Sequence, residues 1–364
     1  VNAAVSSTSG AIDATGGTGV THNATGDLST DNTIDVTATA NDITMVGGTV
    51  YDATSGNVTA TAAGNVAIGE ITTSGNVTVT ATGGTIGDAA TDAAADISGN
   101  IADLTAGTGI GGAAADADID TTVTTVRADV TGTGAIYIDE TNGVALGDGT
   151  SGISTNDGLI DITAGGAITT GNTIASGTNG NIDIATTADG ITLSNGVTAN
   201  GSGAVTLDAA GLLTVNAAVS STSGAIDATG GTGVTHNAAG DLSTDNTIDV
   251  TATANNITMV DGTVFDATNG VITLTAAGNV ALGELTTSSN VTLTADSNTS
   301  GAGGISEVTA AESANISGST LTISSTDDVG AGGAGDINTT VATLQFGTSI
   351  AGNIYIAESD ALLV

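Results

Sequence analysis

The sequence predicts an all-β protein, a parallel β-solenoid with about 22 residues in each coil that extends as an elongated rod. Three observations lead to this fold class. Short apolar-x-apolar segments recur along the chain, the stretches between them are rich in Gly, Asn, Asp and Ser, and one long passage occurs twice. The first two features are typical of short strands joined by turns.

The recurring segments set the length of a coil. Aligned on their first apolar residue, they begin at Ile160, Ile182, Val205, Ile226, Ile248, Ile272 and Val291. The successive spacings are 22, 23, 21, 22, 24 and 19 residues. Recurrence at this interval favours a solenoid over an array of β-sandwich domains, whose strands would recur every 8 to 12 residues or so and would bury larger aromatic cores.

The composition fits a thin core of small β-branched residues. The 364 residues include three Tyr, two Phe and no Trp, so Val, Ile, Leu, Ala and Thr must fill the interior. The absence of Pro suits strands that each need their backbone N–H, and Gly is expected at the corners to supply positive φ. The sequence lacks Cys and any apolar run long enough for a membrane span, so we expect neither disulfides nor membrane insertion.

The charge balance limits the possible partners. One basic residue, Arg127, stands against 38 acidic residues, and the formal net charge is −37. Binding to nucleic acid or to an anionic membrane surface requires Lys and Arg, so we expect neither partner. So many carboxylates repel one another unless cations screen or bridge them, which points to a salty or calcium-containing medium.

A long internal repeat is the second level of organisation. Residues 1–54 and 215–268 differ at four positions, where Thr25, Asp42, Gly47 and Tyr51 become Ala239, Asn256, Asp261 and Phe265. The correspondence extends over residues 1–146 and 215–364, and residues 147–214 form spacer coils without a copy. We therefore predict one continuous β-solenoid over residues 1–364, lengthened by duplication of about ten coils.

The outward position between the two apolar residues of each segment holds the candidate metal ligands. They are Asp13, Asp35, Asp161, Asp183, Asp227 and Asp249. If the coils stack in register, these residues form three pairs of neighbouring carboxylates, which Ca²⁺ would bridge because it prefers carboxylate oxygens and tolerates irregular geometry. The alternative is a solvated acidic face whose carboxylates splay apart.

A second acidic stretch, Asp116, Asp118 and Asp120 in DADID, resembles the start of a calcium loop. The following TTVTTV lacks the Gly and the distal Glu of such a loop, so we interpret the stretch as a turn. No catalytic or cofactor-binding residue is predicted. Arg127 is the one cation that a polysaccharide lyase could use, and Gln345 replaces it in the second copy. A glycosidase with paired carboxylates would normally offer aromatic faces to its sugar, so we expect no enzyme activity.

Two pairs of repeat positions carry the remaining His and Tyr side chains of interest. His22 and His236 are equivalent and lie about ten coils apart, so they cannot form a dyad. Both are expected on the surface. Tyr137 and Tyr355 lie in IYI segments and should point outward, either over a neighbouring coil or toward a partner.

At another repeat position, Tyr51 of the first copy is replaced by Phe265 in the second. The hydroxyl is therefore dispensable there, which indicates a packing position.

Three passages resemble the degenerate repeats of filamentous-haemagglutinin-type adhesins: GAIDATGGTG, GAIYIDETNGVAL and GNIDIATTADGITL. The resemblance implies a right-handed parallel β-helix and a giant secreted bacterial surface protein, of which this chain is expected to be a window. We therefore expect an extracellular, cell-surface segment with a structural and adhesive function. The alternative is a subunit of a self-assembling extracellular filament, sheath or surface layer, bridged by calcium. The expected partners are further copies, joined end to end or laterally, or other cell-surface and matrix molecules.

Overall fold

The structure of the protein, a computed structural model, describes residues 1–114, 116–308, 314–347 and 351–363. These residues form about 15 turns of a parallel β-solenoid with about 23 residues per turn, which confirms the fold class and the approximate coil length. None of them forms a helix with the length and apolarity that a membrane crossing requires. The chain divides into two compact units, Val1–Ile184 and Ala185–Val364.

The first unit is built from short strands, most of which have three or five residues. In chain order they are β1 (Val5–Ser7), β2 (Ile12–Gly16), β3 (Val20–His22), β4 (Leu28–Thr30), β5 (Ile34–Ala38), β6 (Ile43–Met45), β7 (Val50–Asp52), β8 (Val58–Ala62), β9 (Val66–Ile68), β10 (Glu70–Thr72), β11 (Val77–Ala81), β12 (Thr85–Asp88), β13 (Ile97–Ser98), β14 (Ile101–Ala106), β15 (Gly109–Ile110), β16 (Ile119–Thr122), β17 (Thr125–Val130), β18 (Ile136–Glu140), β19 (Val144–Leu146), β20 (Ile153–Thr155), β21 (Ile160–Ala164), β22 (Ile168–Thr170) and β23 (Ile174–Ser176).

Strand β24 (Ile182–Thr186) covers the division between the units. The second unit then continues with strands of the same kind. They are β25 (Ile191–Leu193), β26 (Val197–Ala199), β27 (Val205–Ala209), β28 (Leu212–Val215), β29 (Val219–Ser221), β30 (Ile226–Gly230), β31 (Gly233–His236), β32 (Leu242–Ser243), β33 (Ile248–Ala252), β34 (Ile257–Met259), β35 (Val264–Asp266), β36 (Ile272–Ala276), β37 (Val280–Leu282), β38 (Glu284–Thr286), β39 (Asn290–Thr294), β40 (Ile305–Glu307), β41 (Ile316–Ser324), β42 (Ile337–Phe346) and β43 (Ile356–Glu358).

Each strand in the first part of unit 1 pairs in parallel with the strand three places later, so each coil adds one strand to each of three columns. In the column that starts with β2, Ile12 lies opposite Ile34 and Ile34 lies opposite Val58. Successive residues of a strand point alternately inward and outward. Apolar residues therefore stack in the core, and the Asp and Thr residues between them form ladders on the outside.

The columns shift by one strand position near the middle of unit 1. Strand β18 pairs with both β15 and β16, while β17 pairs with β19 through its first residues and with β20 through its last ones. After this shift β21 stacks on β18 and β22 on β19. The five-residue strands thereby move to a different column without an interruption of the backbone ladder.

Unit 2 repeats this plan. In its column of five-residue strands, Ile226 lies opposite Ile248, and Ile248 lies opposite Ile272. Strand β41 then pairs with both β38 and β39, and β42 pairs with β41 and β43. The largest side chains with no exposed surface in either unit are Tyr51 and Phe265, at one repeat position, which confirms that this is a packing position.

Glycine serves two purposes in the turns. Ten of the described Gly residues have positive φ, as expected, among them Gly48 and Gly262 at one repeat position. Gly158 is not among the residues with positive φ, yet a Cβ on it would lie 1.8 Å from the carbonyl oxygen of Gly134 in the previous coil. A Cβ on Gly134 would in turn lie 1.5 Å from the carbonyl oxygen of Thr108. Corners such as these need Gly because the backbones of adjacent coils approach too closely for any side chain.

This close approach predicts the effect of Gly158→Ala. The added methyl group must push two coils apart, so we expect a loss of about 1–3 kcal/mol in the free energy of unfolding, measured by denaturant titration. Gly87→Ala is the matched control, because a Cβ there meets nothing within 4 Å and its φ is not positive. Equal stability of the two variants would contradict the account.

Candidate functional site

The structure brings the predicted carboxylate pairs together. Asp13 lies directly opposite Asp35 between β2 and β5, and Asp227 lies directly opposite Asp249 between β30 and β33. Directly opposed residues of parallel strands are about 5 Å apart at the backbone. Asp161 is close enough to Asp183 for the two charges to interact. All six side chains point away from the core, as the alternation requires.

Burial and mutual repulsion act on these carboxyl groups. Partial burial, followed by the charge of Asp183, raises the pKa of Asp161. Partial burial and then the charge of Asp249 raise the pKa of Asp227, and burial raises that of Asp249. The neighbouring hydroxyls provide partial compensation, since Thr15 donates to Asp13 at 3.2 Å and Thr251 donates to Asp249 at 3.4 Å. At Asp161, Asp227 and Asp249 the ionised carboxylate is therefore disfavoured, and a bound cation would offset this cost.

Metal binding at these pairs stays a prediction. Among the described residues no group of three or more His, Cys, Asp or Glu side chains is arranged to hold a metal ion. A bridging ion would thus take two carboxylates from the protein and its other oxygens from water, which is a weak site on general grounds.

The DADID stretch forms one side of an acidic cleft in unit 1. The cleft has a volume of about 210 Å³, and its lining includes Asp116, Asp118, Tyr137, Asp161 and Thr163. Burial, then the charges of Asp118 and other nearby carboxylates, raise the pKa of Asp120 to about 7. The sequence predicts a turn here but not its position beside Asp161. The column shift that brings the DADID stretch and Asp161 together has no signal in the sequence.

A buried carboxyl group lies close to this cleft and is protonated at neutral pH. Asp96 is 2% exposed, and burial, followed by the charge of Asp88, raises its pKa to about 9. It accepts a hydrogen bond from the backbone N–H of Asp120 at 3.0 Å. In the second copy Asn315 accepts the equivalent bond from Asn338 at 2.9 Å. An uncharged amide at the same position agrees with a neutral Asp96.

The single cationic side chain of the sequence is already engaged. Arg127 forms ion pairs with Asp103 at 3.1 Å and with Asp148 at 3.0 Å, beside the column shift of unit 1. Hydrogen bonds from the hydroxyl and the backbone of Thr150, with Arg127 as a smaller contribution, lower the pKa of Asp148 to about 2. The side chain thus links strand β14 to the loop after β19.

The expectation of surface histidines is wrong. His22 and His236 have no exposed surface, and in each the ring Nδ1 lies 2.7 Å from a carbonyl oxygen, that of Gly26 or Gly240. A carbonyl can only accept, so Nδ1 carries the proton and Nε2 is a bare acceptor without a partner in the described residues. The rings stack edge-on against Tyr51 and Phe265. Polar residue type misled the prediction, whereas the apolar-x-His alternation in VTH could have indicated an inward position.

A pair of equivalent glutamates was not predicted from the sequence, and of the two Glu140 is buried and Glu358 is partly exposed. Glu140 has no exposed surface and accepts hydrogen bonds from the Thr121 hydroxyl at 2.7 Å and the Val123 N–H at 3.1 Å. Glu358 accepts from the Thr339 hydroxyl at 2.8 Å and the Val341 N–H at 3.3 Å. Each carboxyl group satisfies backbone and hydroxyl donors between two strands of adjacent coils, β16 and β18 in unit 1 and β42 and β43 in unit 2.

The two IYI tyrosines point outward, as expected. Tyr137 is half-buried and lines the acidic cleft. Tyr355 is 39% exposed and lies over Gly332, where an added Cβ would come within 3.3 Å of the ring. The Tyr355 ring therefore covers neighbouring backbone and still presents an exposed face.

The buried His236 predicts a specific dependence of stability on pH. Burial lowers its pKa from 6.5 to about 4, so between these pH values the unfolded chain binds a proton that the folded chain does not. Stability from this group is therefore lost as the pH falls through about 6.5. His236→Asn keeps a donor for Gly240 without titrating. We expect the stability of the wild type relative to this variant to fall between pH 7.5 and 4.5 in denaturant titrations. A difference that does not change with pH would show that the ring is accessible.

The carboxylate pairs predict a calcium-dependent midpoint of thermal unfolding. In chelator the double variant Asp227→Asn, Asp249→Asn should be at least as stable as the wild type, because it removes a repulsion of up to about 1 kcal/mol. Added calcium should then raise the wild-type midpoint by a few degrees and raise that of the variant less, because the variant has lost one of the three pairs. Calorimetric scans of both proteins decide the point, and an unchanged wild-type midpoint would remove the calcium bridge.

Comparison with known proteins returned no relative: no protein-family model matches the chain, and no curated protein or solved structure matches it either.

Proposed function

We propose that this chain is an extracellular structural and adhesive segment of a large bacterial surface protein, of the kind represented by filamentous-haemagglutinin-type adhesins with right-handed coils. The observation that carries the proposal is the repetition of one outward surface. An enzyme needs a unique constellation of residues at one place, whereas a spacing or displaying element presents the same chemistry many times.

The outer ladders supply this repetition. In unit 1 a Thr column runs through Thr15, Thr37, Thr61, Thr80 and Thr105, each directly opposite the next. In unit 2 the equivalent column runs through Thr229, Thr251, Thr275 and Thr294. Asp pairs stand beside both columns. A partner surface would meet the same hydroxyls and carboxylates at each copy.

The way the coils are joined supports a mechanical role. Every coil shares backbone hydrogen bonds with its neighbours, and Thr and Asn side chains at the corners add bonds between coils, as Thr30 does to the Gly10 carbonyl at 2.7 Å. Glycines at the corners let the backbones approach closely. Because each coil contacts only its neighbours, a pulling force must break the hydrogen bonds of one coil before the next coil can unfold. Such a chain therefore unfolds one coil at a time under extension.

Single-molecule extension tests the structural part of the proposal. The sequence lacks Cys, so Val1→Cys and Leu363→Cys provide unique handles. We expect stepwise unfolding in which one coil of about 23 residues adds roughly 80 Å of chain. A single transition that releases the whole chain at low force would contradict a mechanical role.

Bead attachment tests the adhesive part. Beads that carry the full chain should attach to polysaccharide- or matrix-coated surfaces more strongly than beads that carry polyglutamate of equal charge. The matched charge separates recognition of the Thr and Asp ladders from simple electrostatics. Equal attachment of the two kinds of bead would limit the function to spacing.

A further inference from the structure

Both methionines of the sequence lie opposite a histidine. The 364 residues include two Met and two His, and each copy of the long repeat holds one of each. His22 on β3 lies directly opposite Met45 on β6, and His236 on β31 lies directly opposite Met259 on β34. Each imidazole therefore has a thioether in the adjacent coil, at a backbone spacing of about 4.8 Å.

All four side chains lie inside the solenoid, and none of them has exposed surface. The third residues of the VTH and ITM segments take inward positions by alternation along their strands. An aromatic ring packs edge-on against each imidazole, with ring centroids 5.1 Å apart at Tyr51 and 4.7 Å apart at Phe265. The imidazole and the thioether of each copy thus share an apolar environment closed to water.

The imidazole of His236 presents one lone pair that nothing in the described part of the chain uses. Its Nδ1 donates to the Gly240 carbonyl at 2.7 Å, so Nε2 is the acceptor, and it has no partner. His22, held in the same way by the Gly26 carbonyl, also has an unpartnered Nε2. A buried polar atom without a hydrogen bond or an ion is costly and uncommon in native proteins, so it points to a ligand at Nε2.

The surroundings of His236 are unsuited to most ligands of an imidazole. A buried water needs about two to four polar partners, and the Phe265 ring beside the imidazole offers none. Protonation is disfavoured, because burial lowers the pKa of His236 to about 4. Zn²⁺ and Ca²⁺ require roughly four or more ligands, and the described residues contain no group of three His, Cys, Asp or Glu arranged for a metal. The donor side chains that remain are one imidazole and one thioether.

An imidazole and a thioether are donors that suit a soft monovalent metal ion. Thioether sulfur favours Cu(I), and imidazole also binds copper well. Cu(I) accepts a nearly linear pair of donors, so it does not require the closed set of ligands that a structural Zn²⁺ has. The bond from Nδ1 of His236 to the Gly240 carbonyl is the support that metal-bound histidines generally have, because it fixes the ring and its tautomer.

We propose that each copy of the repeat contains a site for a soft monovalent metal ion, Cu(I) or Ag(I), between the histidine Nε2 and the opposed methionine Sδ. The first site is His22 with Met45, and the second is His236 with Met259. The bound ion joins two adjacent coils from inside the core. The inference goes beyond the structural and adhesive function and does not rest on it. It is also separate from the outer carboxylate pairs, whose hard oxygens suit calcium.

The methyl groups of the two methionines test the sites directly. With ¹³C-methyl methionine the folded full chain gives one signal for each site. The chain is refolded with Ag(I) in chloride-free buffer, so that slow entry into the core does not limit binding. Both signals should shift and should saturate at two ions per chain, whereas Zn²⁺ should shift neither. Unshifted signals in a chain that circular dichroism shows to be folded would overturn the proposal.

Substitutions test the pairing of the two donors, with the Cu(I) capacity measured anaerobically by competition with a colorimetric chelator. Met259→Leu conserves the core volume and removes the sulfur, so the capacity should fall from two ions to one. His236→Asn should give the same loss. Leu274→Met is the matched control, because it adds a buried thioether opposite Val250 and Leu293 rather than a histidine. Its capacity should stay at two. A capacity of two in Met259→Leu, or of three in Leu274→Met, would overturn the proposal.

Discussion

Parallel backbone pairing between successive coils is the constraint on which the rest of this structure depends. Each coil must place its strands about 4.8 Å from those of the previous coil, whatever its own length. Residues that lie opposite one another therefore face the same side of the wall and in many places are of the same kind, as Ile12 is to Ile34 and Asp13 is to Asp35. The same spacing explains why Gly158 cannot carry a side chain, and why small β-branched residues rather than aromatic rings fill the core.

Polar groups inside the solenoid follow from this constraint as well. Next to a column shift some backbone N–H groups have no carbonyl of an adjacent strand to bond. The carboxyl groups of Glu140 and Glu358 accept hydrogen bonds from two of them. The imidazoles of His22 and His236 fill inward positions where each ring donates to a carbonyl of the same turn. The outside of the molecule, by contrast, accumulates like charges, because register stacks Asp upon Asp. Association with any acidic partner, including another copy, consequently depends on salt or cations.

The sequence was sufficient for the fold class, the coil length and the opposed pairs Asp13–Asp35 and Asp227–Asp249, because all three follow from a period that can be read directly. It was insufficient wherever the period changes. The column shift at β17–β20 joins the DADID stretch to Asp161 and places Arg127 between Asp103 and Asp148, and neither arrangement has a local signal. The burial of His22 was missed because residue type was weighed above alternation, and the role of Gly158 because neighbouring backbones are not visible in one strand's sequence.

Spin labelling of opposed positions tests the central claim of parallel, in-register coils most directly. With nitroxides at Asp227→Cys and Asp249→Cys, one coil apart and directly opposed, the account predicts strong dipolar broadening at a backbone separation of about 5 Å. Labels at Asp227→Cys and Thr273→Cys, two coils apart, should broaden clearly less, at about 10 Å. Equal broadening in the two pairs, or none in the first, would contradict the stacking on which the fold and the surface ladders rest.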